Sequence, residues 1–187
     1  DQIDSSVDFS QYDGDGDGVV DMIYFIVAGY TANFSGNNSG YLWPHQYYMF
    51  YYTDDQYDGV YLGRYSCSGE IYGWEYYGYT DPDGIGTIVH EFSHALGLAD
   101  LYDTDYGTNG AAKDPGEWDV MSGGSYLNAS RTPPGYSIWE RYRLGFAEPE
   151  VISEKKAGYR LEPVNTSNTG YMLLTPKDNE VFMVENR

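Results

Sequence analysis

The sequence predicts an α/β (α+β) fold, a twisted mixed sheet of short strands with one helix that carries the chemistry. Three observations predict it. Residues 85–96 place apolar side chains at helical spacing, with Gly97 where such a helix stops. Val19, Val20 and residues 22–28 form a β-branched and aromatic run bounded by glycine and aspartate, which reads as a buried strand. Residues 30–80 are dense in Tyr, Gly, Ser and Asn, the composition of short strands joined by long loops.

Length and charge narrow the class. At 187 residues the chain makes one domain, or one domain with an appendage, and can bury a real core. Its formal charge of −19 excludes nucleic acid and anionic membrane surfaces as partners and suits a protein that holds cations. No apolar run approaches the length of a membrane span. Asp1 is not an initiator methionine and no signal peptide precedes it, so an excised or processed piece of a longer chain is expected. Cys67 is the only cysteine, which rules out an internal disulfide and leaves the compartment open.

The first element is the run Asp13-Gly-Asp-Gly-Asp-Gly-Val-Val-Asp21. Asp13, Asp15, Asp17 and Asp21, with Gly18 at the sixth position and the Val19 main chain available, match most of an EF-hand calcium loop. Tyr24 stands where the bidentate acid of that motif would be, and the loop leads into a strand rather than a helix. Close carboxylates repel unless a cation lies between them, so Ca2+ is expected here, with a solvated acidic turn as the alternative.

Within 30–80, Trp43-Pro44-His45 holds the only histidine outside the helix, a candidate third ligand or a hydrogen-bonded loop residue. Residues 61–79 are expected to offer a sheet edge along which an extended peptide could pair.

Asp81-Pro82-Asp83 supplies cap and first-turn residues for the helix. Ile85, Val89, Phe92 and Leu96 should form its buried stripe. His90 and His94 are one turn apart on the same face, so both imidazoles can grip one metal ion. Glu91 follows the first histidine, which completes H-E-x-x-H with the glutamate as general base beside zinc. Gly97 lets the chain turn back and brings Asp100 towards the same ion, in the place of the last histidine of the longer H-E-x-x-H-x-x-G-x-x-H signature. Asp103 and its polar neighbours to residue 110 then make a loop that is solvated or a second calcium site.

Met121 follows in a tight turn, Trp118-Asp-Val-Met-Ser-Gly-Gly-Ser-Tyr126. A methionine placed so after the third ligand matches the Met-turn of metzincin proteases, an apolar floor packed beneath the metal. Tyr126 is a candidate oxyanion or substrate contact. Pro133-Pro134-Gly135 breaks the chain before a second helical stretch over 136–144, ended by Gly145. Beyond 151, residues 159–163, 171–175 and 181–184 alternate as strands of a β-rich extension. The expected division is a catalytic domain over 1–150 and an extension over 151–187. Within the catalytic domain, residues 1–97 form the upper subdomain and residues 98–150 the lower one.

With these residues in view the chain resembles the catalytic region of the bacterial immune-inhibitor-A family of secreted zinc metallopeptidases. The resemblance is carried by residues 12–21, Trp43-Pro-His45, 90–103, Trp118-Asp-Val-Met-Ser-Gly-Gly124 and Glu185-Asn-Arg187. It implies a secreted endopeptidase made with a propeptide, zinc at His90, His94 and Asp100, Glu91 as base, a Met-turn at Met121 and structural calcium. Ser93 stands where glycine is expected and Ala99 where proline is, and neither removes a ligand. Two rival readings remain. One is a thermolysin-like enzyme with Glu117 as third ligand. The other is a non-catalytic, calcium-stabilised binding or adhesion domain with a relic metal site.

Overall fold

A computed structural model describes residues 3–35, 40–105, 107, 113–155 and 157–187. Of the polar loop over 103–110, residues 106 and 108–110 lie outside the described residues. The strands are β1 (Val19–Val20), β2 (Ile23–Val27), β3 (His45–Tyr48), β4 (Gln56–Tyr57), β5 (Val60–Leu62), β6 (Arg64–Gly69), β7 (Glu150–Ile152), β8 (Tyr171–Leu174) and β9 (Val181–Val184). They form three small sheets, in the orders β1-β5-β4, β2-β6-β3 and β7-β8-β9. Each sheet has one parallel and one antiparallel pair, so the mixed character holds while the single sheet does not.

The sheet β2-β6-β3 carries the functional helix. Its central strand buries Ser66, Cys67 and Ser68, small side chains that let a helix approach closely. Its edge strands are β2, parallel to β6, and β3, antiparallel to β6 with His45 opposite Cys67. This corrects the expected edge over 61–79: β5 and β6 are both inner strands, and only an isolated bridge, Ile71 to Pro82, follows them. The run 22–28 is also less buried than its composition suggests, since Phe25 and Ile26 face outward.

Helix α1 (Ile85–Leu96) has the expected length and a different buried face. Gly86, Thr87, His90, Glu91, Ser93 and Ala95 are buried, whereas Ile85, Phe92 and Leu96 are 57%, 41% and 40% exposed. The small and polar face wins because it packs against two backbones. A Cβ on Gly86 would stand 1.8 Å from the Ser125 carbonyl oxygen, and one on Gly84 would stand 2.1 Å from Ser130. The N-cap is Gly84 rather than Asp81 or Asp83, and the Asp83 carboxylate accepts the Gly84 N–H at 2.8 Å. At the other end Gly97 takes φ 106°. Its N–H donates to the His94 carbonyl while Leu98 N–H donates to Ser93, both at 3.0 Å. That pair of bonds is a Schellman motif, and it reverses the chain after Leu96.

Helix α2 (Leu127–Ser130) is one left-handed turn, with Asn128, Ala129 and Ser130 at φ 51°, 56° and 57°. Such conformations cost about 1–2 kcal/mol per non-glycine residue, and here they seat Ser130 against the start of α1. Helix α3 (Ile138–Arg143) begins with a full capping box between Ser137 and Glu140, the second helix expected over 136–144.

Among the described residues two apolar clusters make the core. Phe9, Val20 and Val60 pack together beside the acidic loop. Leu98, Val120 and Met121 pack beneath α1, joined by Val89, Tyr136 and Trp139. The sheet β7-β8-β9 sits on α3 through the Ile138 N–H, which donates to Glu185 Oε2 at 2.6 Å. Residues 159–163 form no strand; Pro163 makes only a bridge with Asn186.

Candidate metal centre and cleft

The centre is assembled by the helix and the turn that ends it. His90 Nε2 and His94 Nε2 lie 3.2 and 3.3 Å from the same oxygen, Oδ1 of Asp100. The Schellman turn is what carries Asp100 back to both rings. Each histidine is held by its other nitrogen: His90 Nδ1–H donates to the Val120 carbonyl and His94 Nδ1–H to the Leu98 carbonyl, both at 2.8 Å. These bonds assign the tautomer in which Nε2 carries a lone pair.

The consequence is a cluster of electron pairs. Two imidazole lone pairs and one carboxylate oxygen converge, with all ligand atoms within 4.8 Å of one another. Asp100 Oδ1 is buried and has no ordinary hydrogen-bond donor. A cation between the three atoms makes this arrangement favourable. Two nitrogens and one carboxylate oxygen are a donor set that would suit zinc.

The electrostatics describe a site that draws positive charge, whether a metal ion or a proton on a ring. Burial alone would lower the His90 and His94 pKa values, but Asp100 and the carbonyl acceptors outweigh it and push both up. Burial works against the Asp100 carboxylate, yet the two histidines hold its pKa well below the usual range. Glu91 is 6% exposed. Burial pushes its carboxyl up, with His90 and His94 opposing. Its backbone carbonyl accepts Ser66 Oγ–H at 2.8 Å, which ties the helix to β6 at this residue.

A cleft of about 550 Å³ opens over His90 and Glu91. Phe34, Trp43 and Pro44 line one side of it, and Ser122, Gly123, Ser125 and Tyr126 another. Tyr126 packs edge-on against Phe34, and Asn33 Nδ2–H donates to its hydroxyl at 3.4 Å. Met121 is 0% exposed beneath the helix, and its carbonyl accepts the Leu101 N–H at 2.9 Å. The rival ligands are elsewhere. His45 Nδ1 meets the Trp43 carbonyl and Nε2 the Tyr65 hydroxyl, each at 2.8 Å, so it braces the cleft wall. Glu117 lines a separate cavity with Trp118 and Arg141.

The aspartate loop is wound by its own side chains. Asp13 Oδ1 accepts from Gly16 and Asp17 N–H, and its Oδ2 from Gly18. Asp17 Oδ1 accepts from Val19 N–H at 2.8 Å. Asp13, Asp15 and Asp17 each bring a carboxylate oxygen within 4.8 Å of the others. Asp21 stands outside that trio and accepts from Gly14 N–H. The main-chain partners of the two histidine rings, Val120 and Leu98, have no side-chain signature by which a sequence could announce them.

Comparison with known proteins follows the same lines. The family model described as immune inhibitor A peptidase M6, catalytic domain, matches residues 1–143. Immune inhibitor A of Bacillus thuringiensis subsp. alesti is 31% identical over 156 residues, covering 72% of this chain and 22% of that protein. The pre-pro-metalloprotease PrtV of Vibrio cholerae serotype O1 is 28% identical over 143 residues, covering 71% of this chain and 15% of that protein. The chain thus spans less than a quarter of the length of either relative.

Proposed function

We propose, from the premise that this chain belongs to the immune inhibitor A peptidase M6 family, that it is the catalytic region of a secreted zinc metalloendopeptidase. The observation that carries the reading is the convergence of His90 Nε2, His94 Nε2 and Asp100 Oδ1, with the other nitrogen of each ring held by a backbone carbonyl. These three atoms would hold the metal. Bound there, zinc supplies a Lewis acid that polarises the scissile carbonyl and acidifies water.

The rest belongs to the chain's own residues. Glu91, desolvated at the cleft floor, takes a proton from the attacking water and returns it to the leaving amine. Phe34, Trp43 and Pro44 hold the polypeptide and exclude solvent, and Tyr126 offers a hydroxyl to the developing oxyanion. Val120 and Leu98 keep the two rings aimed, and Met121 gives them an incompressible floor, the role of a Met-turn.

Calcium completes the reading. Asp13, Asp15 and Asp17, with Asp21 and the Val19 main chain in support, hold Ca2+ as a structural ion beside the Phe9 cluster. The catalytic domain runs over 1–150, with the β-rich extension over 151–187. The name of the Vibrio relative, a pre-pro-metalloprotease, supports secretion with a propeptide as partner. No helix among the described residues is long and apolar enough to cross a membrane.

The test is metal analysis joined to hydrolysis of an unfolded protein substrate. Stoichiometric zinc, with activity abolished by a chelator and restored by zinc, is expected. Folded, zinc-loaded protein that cleaves no polypeptide would leave the relic binding domain as the answer.

A further inference from the structure

His45 is the one histidine that the zinc reading leaves without a task. It opens β3 opposite Cys67, and Trp43 and Pro44 just before it line the cleft. Those two residues lie outside the ladder, whose register with β6 begins at His45. Proline has no N–H to offer, so this stretch of wall is attached by its carbonyls. The Leu42 carbonyl accepts the Ala32 N–H at 2.9 Å, which ties it to the turn that carries Phe34. The Trp43 carbonyl accepts His45 Nδ1–H at 2.8 Å.

The ring itself is fixed from three sides. A carbonyl can only accept, so the proton of the neutral ring sits on Nδ1, and Nε2 takes the Tyr65 O–H at 2.8 Å. Cys67 Sγ, buried, lies 3.3 Å from Nδ1. The Tyr65 ring stands edge-on, with 5.3 Å between centroids. His45 is thus a strut with its base in the sheet and its tip on the Trp43 carbonyl. The Trp43 indole beyond that tip is 50% exposed.

We infer, on the metallopeptidase reading of the cleft, that His45 is a positioning residue for substrate: through the Trp43 carbonyl it sets the wall on which the polypeptide binds. It neither holds metal nor moves a proton. A wall ordered in advance leaves Trp43 less freedom to lose when substrate arrives. Loss of the strut therefore weakens substrate and transition state alike, which raises KM and leaves kcat unchanged.

The test is steady-state kinetics on an unfolded protein substrate, with zinc analysis of each variant. Asparagine places an amide N–H where the imidazole has Nδ1–H, whereas glutamine reaches towards Tyr65 as Nε2 does. His45→Asn should therefore keep the wild-type KM. His45→Gln should raise KM at least about fivefold, the worth of one neutral hydrogen bond, with kcat and zinc stoichiometry unchanged. Trp43→Ala should raise KM as much, and His45→Gln added to it should have no further effect. If His45→Gln fails to fold, His45→Asn and the exposed Trp43→Ala decide. Dissociation constants for the same polypeptide, measured on Glu91→Ala backgrounds, should follow the same order without turnover. A wild type without zinc or turnover removes the metallopeptidase reading, and those dissociation constants still decide on His45. Equal KM for His45→Gln and His45→Asn overturns the proposal, as does an unchanged KM in Trp43→Ala. Additive effects of the two substitutions overturn it by separating His45 from Trp43, and loss of zinc from His45→Gln overturns it by making His45 a ligand.

Discussion

The Val120 carbonyl accepts the Nδ1 hydrogen of His90 at 2.8 Å, and Val120 immediately precedes the fully buried Met121. One bond therefore links the packing of the turn to the aim of the His90 ring. On the proposed reading Met121 acts through volume and not through its sulfur. Met121→Leu should cost less than about 1.5 kcal/mol and keep zinc, since the swap conserves volume. Met121→Ala should cost about 2–5 kcal/mol and weaken zinc binding as Val120 shifts. Denaturant melts with zinc titration check both; a Leu variant that loses zinc would assign the sulfur a direct role.

The close approach of α1 to the 122–126 turn depends on Gly86. A Cβ there meets backbone, the Ser125 carbonyl oxygen at 1.8 Å, which no rotamer change relieves. Gly86→Ala should destabilise the fold by about 3 kcal/mol through overpacking, despite the better helix propensity of alanine. A denaturant midpoint at or above wild type would contradict this packing.

Removal of calcium should lower the melting temperature, because an ion that binds only the folded chain stabilises it by mass action, by about 3 kcal/mol at a hundredfold excess over its dissociation constant. The Asp15→Ala, Asp17→Ala double variant should lose that response and the resistance of the loop to proteolysis. A wild-type melting curve indifferent to calcium and chelator would make residues 13–21 an acidic turn.

Glu140 is fully buried at the start of α3. Burial first, then the neighbouring Asp119 carboxyl, push its pKa from 4.5 up to about 7, against the Ser137 hydrogen bonds. Between those values the folded chain holds a proton that the unfolded chain has released. Stability from this group is thus complete in acid and is lost as pH rises through about 7. His90 and His94, also raised, act with the same sign, so a difference is needed to isolate Glu140. Wild type minus Glu140→Gln should show a melting-temperature difference that falls from about pH 5 to about pH 8. A flat difference would contradict the raised pKa of Glu140.

Local rules explain what the sequence made legible. Helix 85–96, its stop at Gly97 and the return of Asp100 follow from spacing and a single positive φ, all set within residues 85–100. Which face of that helix is buried depends on Ser66, Ser125 and Ser130, far away in the chain, so the apolar pattern of Ile85, Phe92 and Leu96 misleads. Asp21 shares the loop's spacing but turns to Gly14, a choice made by side-chain geometry. Arg141 and Arg187 meet in one cavity through Ser167, Asn168 and Trp118, contacts that span 26 to 69 residues and leave no periodic trace.

The central claim is that His90, His94 and Asp100 hold zinc while Glu91 moves the proton. Zinc stoichiometry and turnover of an unfolded protein, measured side by side for Asp100→Ala and Glu91→Ala, test it most directly. Glu91→Ala should keep stoichiometric zinc and lose at least about a hundredfold in turnover, since only the general base is gone. Asp100→Ala should lose zinc affinity and turnover together. Tight stoichiometric zinc in Asp100→Ala, with loss of zinc in His45→Ala or Glu117→Ala, would contradict the ligand assignment, and near-normal turnover by Glu91→Ala would contradict the mechanism.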